Sequence, residues 1–72
     1  MNETGQIIKQ RLREEIRNSG LTTAEIARRV GVSPEMITQY TTTKKLPKPD
    51  TFAALCKALD VSADYILGIK DY

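Results

Sequence analysis

The fold is decided by the stretch TTAEIARRVGVSPEMITQY, residues 22–40, in which two short helical patterns flank a glycine. Thr22 and Glu25 have the spacing of a capping box, in which each side chain satisfies a free amide at the start of a helix. Gly31 ends this first helix, because glycine readily adopts the left-handed conformation that often follows a helix. The first half of the stretch therefore predicts a helix of about two turns.

The second half of the stretch begins a new helix two residues after the glycine. Ser33 is a favourable N-capping residue, and Pro34 fits the first helical position because no amide hydrogen bond is lost there. Three threonines, residues 41–43, finish this helix without the glycine that commonly stops one. The sequence leaves two possibilities open: the helix runs on slightly, or it ends without a left-handed residue.

The spacing of Ala27, Gly31, Ile37 and Tyr40 is that of two short helices crossing near a right angle. Such a crossing needs a small residue where the backbones approach and a glycine in the tight turn. It also needs apolar residues three apart that face the rest of the core. This is the spacing of a helix-turn-helix, whose second helix enters the major groove of DNA.

Further helices are predicted on both sides of this pair, because apolar residues recur there at helical spacing. The first segment has Ile8, Leu12 and Ile16, and a later one has Phe52, Leu55, Cys56 and Leu59. We therefore predict an all-α fold in which residues 1–72 form one compact domain. Its five helices are expected at about residues 5–19, 23–30, 34–42, 49–59 and 63–68.

The composition excludes several classes of site. The chain has 72 residues, one cysteine and no histidine, which rules out a disulfide framework and a Cys/His zinc site. Cys56 is expected to be a small buried apolar residue in a reducing cytoplasm. With no glycine-rich phosphate loop and no metal-ligand cluster, we predict no metal, no cofactor and no enzymatic activity.

Two further features bear on location and partner. No apolar run approaches the roughly 18 residues of a membrane span, and no signal peptide is recognisable, so a cytoplasmic protein without a membrane partner is expected. The net charge is only +2, but residues 1–48 carry +4 and residues 49–72 carry −2. A basic amino-terminal part favours a polyanionic partner.

The run GLTTAEIARRVGVSPEMITQYTTTKKLPKPDTFAALCKALDVSADYILG, residues 20–68, resembles the phage repressor and Cro type of helix-turn-helix domain, the XRE family. Together with the first helix, matched by position, the likeness covers nearly the whole chain. The resemblance implies a compact five-helix, phage-repressor-like domain that binds double-stranded DNA, usually as a symmetric dimer.

The resemblance also implies which side chains read bases: Pro34, Glu35, Thr38 and Gln39 fall where the family's recognition helix meets the base edges. The Gln39 amide can pair bidentately with adenine N6 and N7. For Glu35 two interpretations stay open. Its carboxylate can accept a hydrogen bond from cytosine N4, or it is an acid in the first turn that the helix dipole favours.

Candidate phosphate contacts flank the recognition helix. Thr23 falls where the family uses a polar side chain at the start of the second helix, and helix amino-termini bind phosphate well. The family usually has an acid at the place of Thr41 and a glycine at that of Thr43, and both are absent here. Threonines and lysines there suit phosphate, so the predicted backbone contacts are Thr42, Thr43, Lys44, Lys45 and Lys48. The basic residues of the first helix, interleaved with Glu14 and Glu15, are interpreted as solvated surface.

Apolar residues near the carboxyl end indicate where a second subunit binds. Tyr65, Leu67, Ile69 and Tyr72 give this end more apolar character than a monomer needs. The alternative function is a protein-interaction module, such as an antitoxin that holds a toxin and represses its own promoter. Antitoxins usually carry an extension for the toxin, and only IKDY follows residue 68, which counts against this alternative.

Overall fold

The computed structural model describes residues 3–72, and these form five α-helices. The helices are α1 (Glu3–Asn18), α2 (Thr23–Val30), α3 (Pro34–Thr42), α4 (Pro49–Leu59) and α5 (Ala63–Ile66). The predicted all-α, five-helix architecture is confirmed. The bounds of α2, α3 and α4 coincide with those expected from the sequence.

The first and last helices differ from their expected bounds. α1 begins at residue 3 rather than 5 and ends one residue early, because the Ser19 hydroxyl donates to the Ile16 carbonyl at 2.8 Å and closes the last turn. α5 ends two residues before position 68, since the chain turns away at Gly68, whose φ is 78°. The early ends of α1 and α5 both arise where a local hydrogen bond or a glycine overrides the apolar periodicity.

The core receives one fully buried aliphatic side chain from each helix. All five are at most 1% exposed, and burying each contributes about 1.5–3 kcal/mol relative to leaving it in water. They are Leu12 of α1, Ile26 of α2, Ile37 of α3, Leu55 of α4 and Ile66 of α5. Because every helix supplies one of them, the five helices are held against a single centre.

Cys56 lies in this core, as expected from its place on the apolar side of α4. Burial raises the pKa of its thiol, so the group stays protonated at neutral pH. A buried thiol of this kind is a poor nucleophile and acts as a small apolar side chain.

The turn between α2 and α3 has the geometry that its sequence predicts. Gly31 is left-handed, with φ 88° and ψ 30°, and its amide donates to the Ala27 carbonyl at 2.8 Å. Ala27 itself is buried, so the small residue stands where the two helices approach. The Ser33 hydroxyl accepts the Met36 amide at 3.3 Å and caps α3. These bonds set the angle at which α3 leaves α2.

The capping box at the start of α2 is only half formed. The Thr22 hydroxyl accepts the Glu25 amide at 3.1 Å, as predicted. In place of the reciprocal bond to the Thr22 amide, that hydroxyl donates to Glu25 Oε1 at 3.3 Å. The Glu25 amide is thus occupied, and the Thr23 and Ala24 amides, which have no partner within residues 3–72, remain available to an anion.

The left-handed turn at Gly31 can be tested without changing any packing contact. A methyl group added there meets no atom within 4 Å in the described part of the chain. We expect Gly31→Ala to lower the free energy of unfolding by about 1–2 kcal/mol, the cost of left-handed backbone for a residue with a Cβ. Urea unfolding followed by circular dichroism measures it.

Gly31→Asn is the matched control, because asparagine tolerates the left-handed region better than alanine does. We expect the asparagine variant to lose clearly less stability. Equal losses for the two variants would show that the conformation of Gly31 is not what the turn requires.

Candidate nucleic-acid interface

α3 has one side in the core and the other in solvent. Ile37 and Tyr40 point inward and are almost completely buried. Glu35 and Thr38 are exposed and Gln39 is half-exposed, and their i, i+3, i+4 spacing puts them on one side of the helix. With the exposed Pro34 at the start of α3, all four predicted base-reading residues lie on the accessible part of this helix.

The side chain and the backbone of Gln39 have opposite roles. Its side-chain amide makes no hydrogen bond to any residue between 3 and 72. Its carbonyl, by contrast, accepts three: from the Thr43 hydroxyl at 2.7 Å, the Thr43 amide at 3.0 Å and Lys9 Nζ at 3.3 Å. A free amide group on a firmly held backbone is suited to pairing with a base edge.

Thr38 is less free than Gln39. Its hydroxyl donates to the Pro34 carbonyl at 3.3 Å, so its proton is already committed. The hydroxyl oxygen can still accept a hydrogen bond and the methyl group can contact thymine. The Glu35 carboxylate has no ion pair or hydrogen bond within the described residues, so both of its interpretations stay open.

α3 ends without a left-handed residue, which is the second of the two possibilities left open by the sequence. Thr43 caps the helix in an extended conformation, with φ −122° and ψ −179°. The threonine hydroxyls close the last turn by donating to its carbonyls: Thr41 and Thr42 to Thr38 at 2.9 and 2.8 Å, and Thr43 to Gln39. The run of threonines therefore replaces the usual glycine stop.

These bonds bear on the predicted phosphate contacts of Thr42 and Thr43. A phosphate oxygen only accepts hydrogen bonds, and both hydroxyl protons are already donated within the helix end. Either hydroxyl has to exchange its partner before it can bind phosphate. The two contacts stay predictions, and the structure shows a different role for both side chains in the free protein.

Lys9 is the functional residue that the sequence analysis missed. Its side chain is only 6% exposed, and its ammonium group donates to the carbonyls of Gln39 and Lys45. The interpretation of the first-helix basic residues as solvated surface is therefore wrong for Lys9. The Lys9 ammonium adds a further donor to the Gln39 carbonyl, and a cation at this end of α3 opposes the negative end of the helix dipole.

A signal for this role was present in the sequence. The buried residues of α1 are Gly5, Lys9, Leu12 and Ile16, so Lys9 lies in line with the core residues at i+3 and i+7. Ile8, which the apolar pattern favoured, is only half-buried. A lysine at a core-facing position indicates a buried partner, here the carbonyls that end α3.

Burial lowers the pKa of Lys9, and the nearby positive charge of Arg13 lowers it further. Desolvation of the ammonium group thus outweighs its attraction to the carbonyls it binds. Packing and hydrogen bonds to two carbonyls hold the Lys9 side chain in place. Keeping its ammonium group charged in this buried position costs free energy.

The three predicted lysines lie in the loop between α3 and α4. Lys44, Lys45 and Lys48 are all exposed. The Lys45 amide donates to the Thr43 hydroxyl at 3.1 Å, which fixes the start of the loop that carries them. Thr23 is exposed at the first position of α2, beside the free amides of that helix. Exposed cations therefore follow α3 along the chain, and free amides lie at the start of the helix that precedes it.

Of the four predicted subunit-contact residues, Tyr65 and Tyr72 line one open depression and Leu67 lines another. Tyr65 lies beneath Arg11, whose guanidinium is 4.3 Å from the ring centroid, and its carbonyl accepts a hydrogen bond from the same group at 2.6 Å. Leu67 lines a separate apolar depression with Ile8, Leu46, Pro47, Pro49 and Phe52. Ile69 and Tyr72 are 68% and 81% exposed.

Two exclusions hold for the described residues. No helix among residues 3–72 is long and apolar enough to cross a membrane. The same residues contain no group of three His, Cys, Asp or Glu side chains that can hold a metal ion.

Comparison with known proteins agrees with this geometry. A model of the helix-turn-helix domain family matches residues 10–66, so the chain belongs to that family. It is 36% identical over 62 residues to the uncharacterized HTH-type transcriptional regulator YobD of Bacillus subtilis (strain 168). That match covers 86% of this chain and 55% of the relative, so the chain spans about half the length of that protein. No solved structure matches the chain.

The resemblance to phage repressor and Cro-type domains is therefore confirmed as membership of a helix-turn-helix family, with a relative consistent with the XRE type. Residues 10–66 include α2 and α3 completely, so the matched region contains the whole motif. The chain is a helix-turn-helix DNA-binding domain, and the relative that it matches is named as a transcriptional regulator.

The role of Lys9 predicts a specific loss of stability. We expect Lys9→Met, which keeps the apolar stem, to lower the free energy of unfolding by about 1–3 kcal/mol, because the part-buried carbonyls of Gln39 and Lys45 lose a donor. Lys57→Met on the exposed side of α4 is the control and should change stability by less than about 0.5 kcal/mol. Urea unfolding of both variants makes the comparison.

A comparison of the wild type with Lys9→Met as a function of pH tests the direction of the Lys9 pKa shift. Because the pKa of Lys9 is lowered on folding, the folded chain releases this proton at a lower pH than the unfolded chain. The stability of wild type relative to Lys9→Met should therefore rise with pH toward the unfolded pKa of about 10.4. A difference that falls with rising pH would mean that the ammonium form is favoured by folding.

Proposed function

We propose that this chain is a sequence-specific regulator of transcription that inserts α3 into the major groove of double-stranded DNA and represses the promoter it occupies. The observation that carries the proposal is the solvent side of α3, where the unpaired Gln39 amide stands on a backbone held by Lys9 and Thr43. Occupancy alone is enough to block a promoter, whereas activation needs a further contact with the transcription machinery. Such a regulator acts in the cytoplasm, where its DNA is.

Gln39 is the principal base-reading residue in this proposal. A glutamine amide offers one donor and one acceptor side by side, which match adenine N7 and N6 in the major groove. Glu35 lies one turn earlier on the same side of α3, and Thr38 lies between them. The three side chains are placed to meet neighbouring base pairs, with Pro34 at the end of the helix that enters the groove first.

The phosphate backbone is contacted from both ends of the motif. The free amides at Thr23 receive one phosphate, as helix amino-termini do. Lys44, Lys45 and Lys48 bind further phosphates at the other end of the motif. Thr42 and Thr43 also contact phosphate once their hydroxyls exchange their present hydrogen-bond acceptors. These contacts position α3 in the groove without reading sequence.

Two copies are proposed to bind a two-fold symmetric site as a homodimer. The support is the exposure of Ile69 and Tyr72, large apolar side chains on one short segment at the carboxyl end. Tyr65 and Leu67 are half-buried, so the more exposed Ile69 and Tyr72 are the better candidates for the contact. Two α3 helices related in this way meet half-sites about 34 Å apart.

Selection of bound sites from a randomised duplex tests the reading helix. We expect a palindromic consensus for the wild type and, for Gln39→Ala, a loss of preference at one position in each half-site. A bidentate contact predicts a discrimination loss of about 1–3 kcal/mol at that position. The other positions should keep their preference.

Lys44→Ala is the matched comparison. It should weaken binding to all sequences alike and lower the salt dependence by about one phosphate contact, with the consensus unchanged. If no consensus emerges for the wild type and binding disappears uniformly with salt, only non-specific binding is present. The sequence-specific proposal is then abandoned and a protein partner becomes the better hypothesis.

The dimer contact has a test that does not disturb the fold. Ile69 is largely exposed, so Ile69→Asp should leave the stability of the subunit unchanged. We expect this variant to bind a single half-site as the wild type does and to lose cooperative binding to two half-sites. Ala53→Asp, an exposed change on α4, is the control in the same gel-shift titration. Undiminished cooperativity in Ile69→Asp would place the contact elsewhere.

A further inference from the structure

A second basic surface lies outside the helix-turn-helix. α1 and the carboxyl end of α3 border an open groove of about 720 Å³. Four cations line it, Lys9, Arg13 and Arg17 from α1 and Lys44 from the loop after α3, against the single carboxylate of Glu14. The sequence analysis had interpreted the α1 cations as solvated surface.

The cations of this groove are not neutralised within the protein. Arg13, Arg17 and Lys44 have no ion pair with any residue between 3 and 72. Glu14 lies at the same groove and accepts a hydrogen bond from Gln10 at 3.4 Å. The Lys9 ammonium group donates hydrogen bonds to the carbonyls of Gln39 and Lys45. Three positive charges thus remain for a ligand.

Arg13 carries the most specific signal. Its Nε is buried, yet it has no hydrogen-bond partner among the described residues. A buried guanidinium N–H without an acceptor is costly, and native structures usually supply one. The fork of N–H groups on an arginine fits the oxygens of a phosphate, which has acceptors only. The Arg13 guanidinium forms no hydrogen bond within residues 3–72, so its accessible N–H groups remain for an anion in the groove.

We propose that this groove binds a phosphate of the DNA backbone, held by Arg13 and Arg17 from α1 and by Lys44 from the other side. The proposal rests on the proposed function, because the groove shares Thr42, Thr43 and Lys44 with the end of the recognition helix. In this proposal the duplex bound by α3 extends beyond the last turn of the helix and reaches the groove. The footprint then extends past the base pairs that α3 reads.

The groove is open and solvated, which fits a backbone phosphate better than an enclosed small molecule. A free phosphate ion has the same chemistry, so the experiment must separate the two sources. Arg13→Gln and Arg17→Gln both keep a long polar side chain and remove one charge. Lys57→Gln, an exposed cation on α4, is the matched control.

The first measurement is the affinity for the selected operator as a function of salt. Each lost phosphate contact lowers the slope of log K against log salt by about 0.9. We expect a reduced slope for each groove variant and an unchanged slope for Lys57→Gln. The selected consensus should stay the same, since a phosphate contact carries no sequence information. Arg17 is exposed, so its variant remains informative if Arg13→Gln folds poorly.

The second measurement locates the phosphate. Neutral methylphosphonate is placed at one backbone position at a time along the half-site. The wild type should lose affinity at a position outside the base pair that Gln39 reads, and the groove variants should show no further loss there. Lys57→Gln should behave as the wild type does.

The outcomes separate this inference from the proposed function. If the groove variants keep the wild-type slope while Gln39→Ala still relaxes one position, DNA does not occupy the groove and the regulator assignment stands. If the wild type selects no operator, the proposed function fails, and the groove assignment fails with it because it requires DNA held by α3. Stabilisation of the wild type by inorganic phosphate at constant ionic strength, with unchanged DNA slopes in the variants, identifies a free-anion site and overturns the DNA assignment.

Discussion

α3 must be anchored from one side only, because its other side has to remain free for a partner. It is nine residues long, too short to be stable alone in water. Ile37 and Tyr40 supply the anchor by inserting into a core to which every other helix contributes. The remaining features of the fold, the caps, the glycine turn and the buried lysine, hold the ends of α3 while its exposed side carries no structural task.

The two ends of α3 are secured by different chemistry. At its start, Ser33 and Pro34 make a cap from residues adjacent in sequence. At its end, hydrogen bonds come from the local threonines and from Lys9, a residue 30 positions away. Gln39 is the point where these meet, since its carbonyl accepts from Lys9 and Thr43. The residue proposed to read a base is therefore also the one whose backbone is most firmly held.

This difference explains how much of the molecule was predictable from the sequence. Short-range signals such as the Ser33–Pro34 cap and the glycine at position 31 predicted the motif, because their physics involves neighbours along the chain. Lys9 was missed because the pattern counted apolar residues only, and its partner is a backbone carbonyl that no sequence pattern displays. The end at Thr43 stayed ambiguous for the same reason. Which side chains share a surface near Tyr65 and Leu67 depended on packing that periodicity does not describe.

Lys9 also links the order of folding to the recognition helix. Its bond to the Lys45 carbonyl joins residues 36 apart, so closing that contact carries a loop-closure entropy that the short turn at Gly31 avoids. The crossing of α2 and α3 involves neighbours along the chain and can form early. The last turn of α3 gains its lysine only after α1 has docked. The end of the recognition helix, with its lysine-bearing loop, thus depends on the docking of the amino-terminal helix for its long-range hydrogen bonds.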